Sequence, residues 1–118
     1  MNSAVHWMLE ASIKDGEFDN FKIVMHDMVE ATRTEPGTTN YEWFLGDDRK
    51  TLHVYERYVD SAATITHVAA FHEKFAERLL AVIEPRSFVC YGSPDDECRA
   101  VLDGFGAVYM GQVGGFAR

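Results

Sequence analysis

Two histidines and one glutamate are the residues of this sequence best suited to acid–base chemistry. His67 and His72 lie five residues apart, and Glu56 interrupts an otherwise apolar strand face. Imidazole exchanges a proton near neutral pH, and a buried carboxylate must be paired, hydrogen-bonded or protonated. A histidine that lines a pocket can remove a proton from a phenol or an enolisable carbon. We therefore predict His72 as the catalytic base, with His67 and Glu56 assisting it.

Each of these residues also has a purely structural interpretation. His72 falls on the predicted apolar stripe of a helix, where a core histidine bonded to a backbone carbonyl fits the pattern equally well. His67 lies on the other side of a regular helix, so both rings reach one pocket only if the helix is interrupted between them. Glu56 can form an ion pair with Arg57 of a second copy or with Arg86.

Three aromatic residues, Tyr41, Trp43 and Tyr55, are the candidate substrate-binding residues because their rings can stack on a planar ligand. Aromatic residues at strand spacing also occur in ordinary cores, and this alternative stays open. The sequence predicts no metal site, because none of its five histidines forms an i, i+4 pair or an HExxH motif. Neither a phosphate-binding loop nor a dinucleotide fingerprint is present.

The spacing of apolar residues predicts the elements that must position these side chains. The predicted elements are a strand over 5–14, a helix over 17–33, strands over Thr38–Leu45 and Thr51–Val59, a helix from Asp60 or Ser61 to Pro85, and a strand over Arg86–Gly92. The order βαββαβ favours a ferredoxin-like α+β fold, an antiparallel sheet with both helices on one face.

The residues after this core predict an extension over 93–118. Ser93 and Pro94 are typical of a helix start, and a short helix is expected to end near Asp103. Ala107–Gln112 is a further candidate strand, followed by a glycine-rich tail that either covers a pocket mouth or crosses to a partner. We predict one domain over 1–118, with its core at 5–92.

Composition excludes several classes of protein. The chain has 118 residues and a formal net charge of −8, which repels phosphate backbones and anionic lipids, so neither nucleic acid nor a membrane is an expected partner. The first residues lack the basic start and apolar run of a secretory signal, and the predicted location is the cytoplasm. Cys90 and Cys98 have no zinc-ligand spacing, and Cys90 is expected to be a small core residue.

The predicted sheet is apolar on both faces. Tyr41 and Trp43 lie on one side, whereas Phe44 and Tyr55 lie on the other. Because a large apolar patch rarely stays exposed to water, the second face is expected to pack on a second copy of the chain. The sequence therefore predicts a homodimer.

Several short segments resemble the antibiotic biosynthesis monooxygenase (ABM) family of dimeric α+β barrel proteins. The resemblance covers roughly residues 5–92. It rests on Glu35-Pro36-Gly37, Tyr41-Glu42, the aspartate-rich turn, Tyr55-Glu56-Arg57-Tyr58, and the pair His67 and His72. It implies a ferredoxin-like protomer with a pocket between sheet and helices, and a small-molecule substrate oxidised without a cofactor.

The family includes cofactor-free oxygenases of quinols and polyketide phenols, haem-degrading enzymes and an isomerase-like processor of a signalling sugar. This sequence lacks the first-strand asparagine and second-helix tryptophan associated with the polyketide oxygenases and haem degraders. Its two histidines and Glu56 are instead similar to the quinol-monooxygenase and sugar-processing branches. The resemblance therefore favours a cofactor-independent monooxygenase of a quinol or phenolic compound. An isomerase of an enolisable metabolite and a non-catalytic ligand-binding dimer are the alternatives.

Overall fold

The chain alternates strands and helices in the predicted order and then adds a short helix and a strand. The computed structural model describes residues 3–118. The elements are β1 (Val5–Ile13), α1 (Phe18–Thr32), β2 (Thr38–Leu45), β3 (Thr51–Tyr58), α2 (Ser61–Lys74), α3 (Ala76–Leu80), β4 (Ile83–Gly92), α4 (Asp96–Leu102), a 3-10 turn (Asp103–Phe105) and β5 (Val108–Met110).

The five strands form one mixed sheet in the order β2-β3-β1-β4-β5. The first three pairings are antiparallel, and β5 joins β4 in parallel at the edge. The helices lie on one face of the sheet, so the predicted ferredoxin-like α+β class with a C-terminal helix–strand extension is confirmed. The long strand β1 lies at the centre, where it aligns β3 and β4 on its two sides.

The period-two pattern of β1 and β3 decides which side chains face the helices. In β3 the side chains of Leu52, Val54, Glu56 and Tyr58 are buried, and the residues between them are only half-buried. Glu56 is thus the one carboxylate in a strand face that is otherwise apolar or aromatic. The alternation carries this charged group into the interior of the protein.

The predicted second helix is wrong in its length. Instead of running to Pro85, it divides at Phe75, whose φ of −129° lies outside the helical range, and β4 begins at Ile83. Pro85 is therefore a strand residue, next to a register shift at which Arg86 is not aligned with any residue of β1. A bulge of this kind accommodates the missing N–H of proline in a sheet.

The extension packs back onto the core as far as β5, whereas residues 111–118 are exposed. The cap of helix α4 lies two residues later than predicted: Asp95, not Ser93, accepts the hydrogen bond from the Cys98 N–H. Cys90 is buried as predicted, and neither it nor Cys98 forms a disulfide. Within 3–118 no helix combines the length and the apolarity needed to cross a membrane. The prediction about an N-terminal signal depends on Met1 and Asn2, which lie outside the described residues.

Candidate active site

A cavity of about 430 Å³ lies between the inner face of the sheet and the helices. Its walls are mostly apolar, and Glu56 and His67 lie among them. Gly104, Phe105 and Gly106 from the extension also line it. The cavity thus combines a large apolar volume with a few polar groups, which is the usual composition of a small-molecule site.

The Glu56 carboxylate is held by hydrogen bonds from neighbouring strands. The indole of Trp7, its direct cross-strand partner, donates to Oε2 at 2.9 Å. The hydroxyl of Tyr58, two residues along the same face of β3, donates to Oε1 at 2.7 Å. These donors compensate for the loss of water around a side chain that is only 10% exposed.

His67 connects Glu56 to a second carboxylate. Its Nε2 lies 3.3 Å from Glu56 Oε1, and its Nδ1 lies 2.9 Å from Glu35 Oε1. The imidazole is 7% exposed and packs against the rings of Tyr58 and Tyr41, with centroid distances of 5.1 and 5.5 Å. The three groups form a buried row, Glu35–His67–Glu56, beside the cavity.

The two carboxylates determine the charge of His67. Burial alone lowers the pKa of the imidazole, but the hydrogen bonds and negative charges of Glu35 and Glu56 outweigh it and raise the pKa to about 9. At neutral pH the ring is therefore an imidazolium that donates from both nitrogens. Burial raises the pKa of the Glu35 carboxyl, yet the hydrogen bond and charge of His67 are stronger together, and its pKa is lowered.

The nearby phenols stay neutral. Burial and the Glu56 charge raise the pKa values of Tyr41 and Tyr58 well above their usual range. Tyr58 therefore keeps its proton and remains a donor to Glu56. In the charge state expected at neutral pH, the two carboxylates and the imidazolium leave the row with one net negative charge.

Four of the six predicted site residues line the cavity. Glu56, His67, Tyr41 and Trp43 all contribute to its wall. The ring of Trp43 packs with those of Tyr41 and Phe21, and its buried Nε1 has no hydrogen-bond partner among residues 3–118. The cavity wall thus contains one unsatisfied donor.

His72 and Tyr55 lie elsewhere. Helix α2 is continuous from His67 to His72, so the two rings point to different sides, and His72 is exposed. The placement of His72 on the apolar stripe is therefore wrong; its ring instead lies parallel to that of Phe105, at 5.4 Å. Tyr55 lies on the opposite face of the sheet, where its hydroxyl is 3.0 Å from His6 Nδ1.

Sequence reasoning missed four residues of this site. Trp7 and Tyr58 were placed in strands, but their bonds to Glu56 were not foreseen, although the alternation of β1 and β3 contains that signal. The sequence indicates Glu35 only through the resemblance to the family, and no local signal connects it to His67, 32 positions later. Phe105 lies beyond the predicted end of the short helix, and no pattern in the sequence assigns it to the cavity.

The row of acidic and imidazole groups is not arranged as a metal centre. Among residues 3–118, no three histidine, cysteine, aspartate or glutamate side chains are grouped to hold a metal ion. The carboxylates of Glu35 and Glu56 contact opposite edges of the His67 ring instead. The arrangement suits proton transfer and the stabilisation of charge next to an apolar ligand.

Comparisons with known proteins identify the family of this chain and support its fold. The sequence model of the family described as "Antibiotic biosynthesis monooxygenase" matches residues 4–78, which is more than half of the chain. The protein belongs to the antibiotic biosynthesis monooxygenase family. The predicted family is therefore confirmed, and the family match ends before β4 and the extension. No significant match was found among curated proteins.

Solved structures agree with this fold at low sequence identity. MupZ from Pseudomonas fluorescens is 21% identical with a TM-score of 0.88, covering 100% of this chain and 91% of its own. SnoaB from Streptomyces nogalater, a cofactor-independent oxygenase, is 14% identical with a TM-score of 0.66, covering 79% and 95%. Protein SO0527 from Shewanella oneidensis is 22% identical with a TM-score of 0.62, covering 76% and 88%. The MupZ alignment includes the C-terminal extension.

Proposed function

We propose that this protein is a cofactor-independent monooxygenase that oxidises a quinol or phenolic compound in the cavity beside Glu56. The observation that carries the proposal is a hydrogen-bonded carboxylate next to a buried imidazolium at the wall of an apolar cavity. Membership of the monooxygenase family and the fold shared with SnoaB support it. The proposal replaces His72 with Glu56 as the proton acceptor, because His72 does not reach the cavity.

The first step is removal of a proton from the substrate hydroxyl. Glu56 accepts that proton, and the negative charge passes to the substrate oxygen. His67 keeps its positive charge on the same wall, where it stabilises the anion electrostatically. Burial strengthens this effect because the effective dielectric constant is lower than in water. The aromatic rings of Tyr41 and Trp43 provide apolar surfaces for the ring of the substrate.

The remaining steps need dioxygen but no bound cofactor. The electron-rich anion transfers one electron to dioxygen, and the two radicals recombine to form a carbon–oxygen bond. Glu56 returns its proton to the peroxide anion, which gives a hydroperoxide. The O–O bond of the hydroperoxide then breaks as its carbon loses the C–H proton, and this proton leaves with the departing hydroxide as water. One oxygen atom thus enters the product as a quinone carbonyl and the other leaves as water, so the substrate supplies all the electrons.

Oxygen uptake by the metal-stripped protein tests this function. A panel of quinols and polycyclic phenols is compared for the native protein, the Glu56→Gln variant and the Glu42→Gln variant. Glu42 is an exposed carboxylate on β2 and serves as the matched control. Loss of the base is expected to lower turnover at least ~100-fold, whereas the control keeps its rate. Failure of every compound to consume oxygen above autoxidation contradicts the proposal.

Isomerisation is the second candidate, favoured by the 3.3 Å contact between Glu56 and the His67 imidazolium. A base and an acid so close can remove a proton from one carbon and return it to another without oxygen. Incubation of candidate enolisable compounds in D₂O under nitrogen separates the two functions. Deuterium incorporation that the Glu56→Gln variant loses supports the isomerase, and oxygen-dependent turnover alone supports the oxygenase.

We also propose that the protein acts as a homodimer through the sheet face opposite the cavity. Phe44, Val108 and Met110 are each 52% exposed there, and an apolar area on a sheet face favours association. Sedimentation is expected to give about twice 13.4 kDa. Phe44→Asp should yield the monomer, whereas Ile23→Asp, at an exposed position of α1, should not. A native monomer at micromolar concentration contradicts this proposal.

A further inference from the structure

The loop between α1 and β2 brings a carboxylate to the buried row. Gly37 packs directly against α2, since a Cβ at this position would lie 2.5 Å from the Cβ of Ala63. A side chain at residue 37 would therefore push the loop away from the helix. This close approach places Glu35, two residues earlier, within hydrogen-bond distance of His67.

Glu35 is itself fixed in position by local hydrogen bonds. Its Oε1 accepts from the Thr38 hydroxyl at 3.0 Å, and its backbone N–H donates to the Thr32 carbonyl at 2.9 Å. The side chain is 20% exposed, compared with 10% for Glu56. Glu35 thus lies on the solvent side of the imidazole, whereas Glu56 lies on the cavity side.

The two nitrogens of His67 have different tasks in this arrangement. Nδ1 is bonded to Glu35 at 2.9 Å, so the ring cannot rotate about its χ2 angle without breaking that bond. Nε2 is then directed at Glu56, at the longer distance of 3.3 Å. A carboxylate behind a functional imidazole fixes its orientation and the position of its proton in many sites.

We propose that Glu35 is the positioning residue of the site: through its bond to Nδ1 it fixes the His67 ring and holds it as an imidazolium facing Glu56. This inference rests on the proposed function only where it predicts activity. It predicts that activity falls at alkaline pH, because the site loses its positive charge once His67 deprotonates.

The groups that face His67 are consistent with this role. Glu56 and Tyr58 approach from β3, Tyr41 from β2 and Glu35 from the loop. Only the two glutamates are charged at neutral pH, because the pKa values of both phenols are raised. The charge of Lys74 acts on Glu35 and helps to keep it ionised.

The Glu35→Gln variant tests the assignment without any substrate. In the native protein, an NMR titration should show His67 losing its proton near pH 9. In the variant its pKa should fall by about 1 to 3, the effect expected from removal of one adjacent opposite charge. Glu35→Asp should restore much of this change. Glu30→Gln, an exposed carboxylate of α1, is the matched control and should leave the titration unchanged.

A second measurement uses the native protein and does not depend on the folding of a variant. Because the contact of Nδ1 with Glu35 is shorter than that of Nε2 with Glu56, the neutral ring should keep its proton on Nδ1. Nitrogen-15 chemical shifts of the His67 ring above pH 9 distinguish the tautomers. A neutral ring protonated on Nε2, or a titration that Glu35→Gln does not move, overturns the proposal.

Activity provides the third readout. If the proposed oxygenase is correct, the alkaline limb of the kcat–pH profile should move to lower pH in Glu35→Gln, in parallel with the His67 titration. If no substrate is oxidised but the titration shifts as expected, the proposed function fails and the role of Glu35 stands. If the profile shifts without the titration, the role of Glu35 fails.

Discussion

His67 and His72 belong to one helix but have opposite environments. His67 is buried between two carboxylates and is charged at neutral pH, whereas His72 is exposed and stacks flat on Phe105. Five residues of a regular helix separate them by well over a quarter turn, so the neighbouring elements differ completely. The burial and charge of each histidine therefore depend on which elements pack against its side of α2.

The largest expected difference between the two histidines is in turnover. His67→Gln removes the imidazolium beside Glu56 and should lower kcat about 100-fold, the low end for loss of one group that stabilises a developing negative charge. His72→Gln changes an exposed side chain and should alter kcat by less than about twofold, as for most surface substitutions. Steady-state oxygen uptake measures both. A large loss in the His72 variant with none in the His67 variant would reverse the comparison.

The error about His72 shows where sequence reasoning reached its limit. Helical periodicity predicts His72, one turn beyond Val68, on the apolar side of the helix. The structure buries Thr64, His67 and Val68 in α2 and Leu79 in α3, whereas His72 is exposed. Periodicity identifies one side of a helix, but how far other elements cover that side depends on the tertiary structure.

Other features of the site were predictable because they depend on local pattern. The period-two alternation of β3 places Glu56 among buried residues, and the same rule places Tyr41 and Trp43 on one face of β2. The bond between Glu35 and His67 was not predictable in this way. It depends on how closely the loop packs on α2. The only sign of this packing in the sequence is the glycine at position 37.

Stability should also distinguish the two histidines as pH rises. The folded pKa of His67 is raised from 6.5 to about 9, so its protonation stabilises the fold fully below about pH 6.5. This contribution, roughly 3 kcal/mol from the size of the pKa difference, is lost as pH rises through about 9. Urea unfolding between about pH 6 and pH 10 measures it. His67→Gln should remove this decline in the free energy of unfolding with pH, and His72→Gln should retain it. A native protein without this decline would contradict the ionic contacts of the row Glu35–His67–Glu56.

The contact of His72 with Phe105 predicts a smaller, pairwise effect. Phe105 lies between Phe88 and His72, with rings parallel to within 14° and 4°, and it lines the cavity. A double-mutant cycle of His72→Ala and Phe105→Ala should give a coupling of about 0.5–1.5 kcal/mol in the free energy of unfolding.

A control cycle pairs His72→Ala with Phe18→Ala, whose ring instead contacts Phe21 and Arg49. Those two changes should add to within about 0.5 kcal/mol. Equal coupling in both cycles would mean that the stack on Phe105 has no specific energy. Coupling confined to the first cycle would assign His72 a structural role in supporting Phe105 at the cavity wall.

A third histidine, His6, lies on the other face of the sheet. Burial and the charge of Arg57 lower the pKa of His6, so this ring is neutral where His67 is charged. Tyr55→Phe removes its hydrogen bond to His6 and should cost about 1 kcal/mol of stability, the usual net value of one such bond. Because Tyr55 lies outside the cavity, turnover should change by less than about twofold. A large loss of turnover with an unchanged dimer would mean that this face takes part in catalysis, whereas a loss that accompanies dissociation would place its effect in the proposed interface.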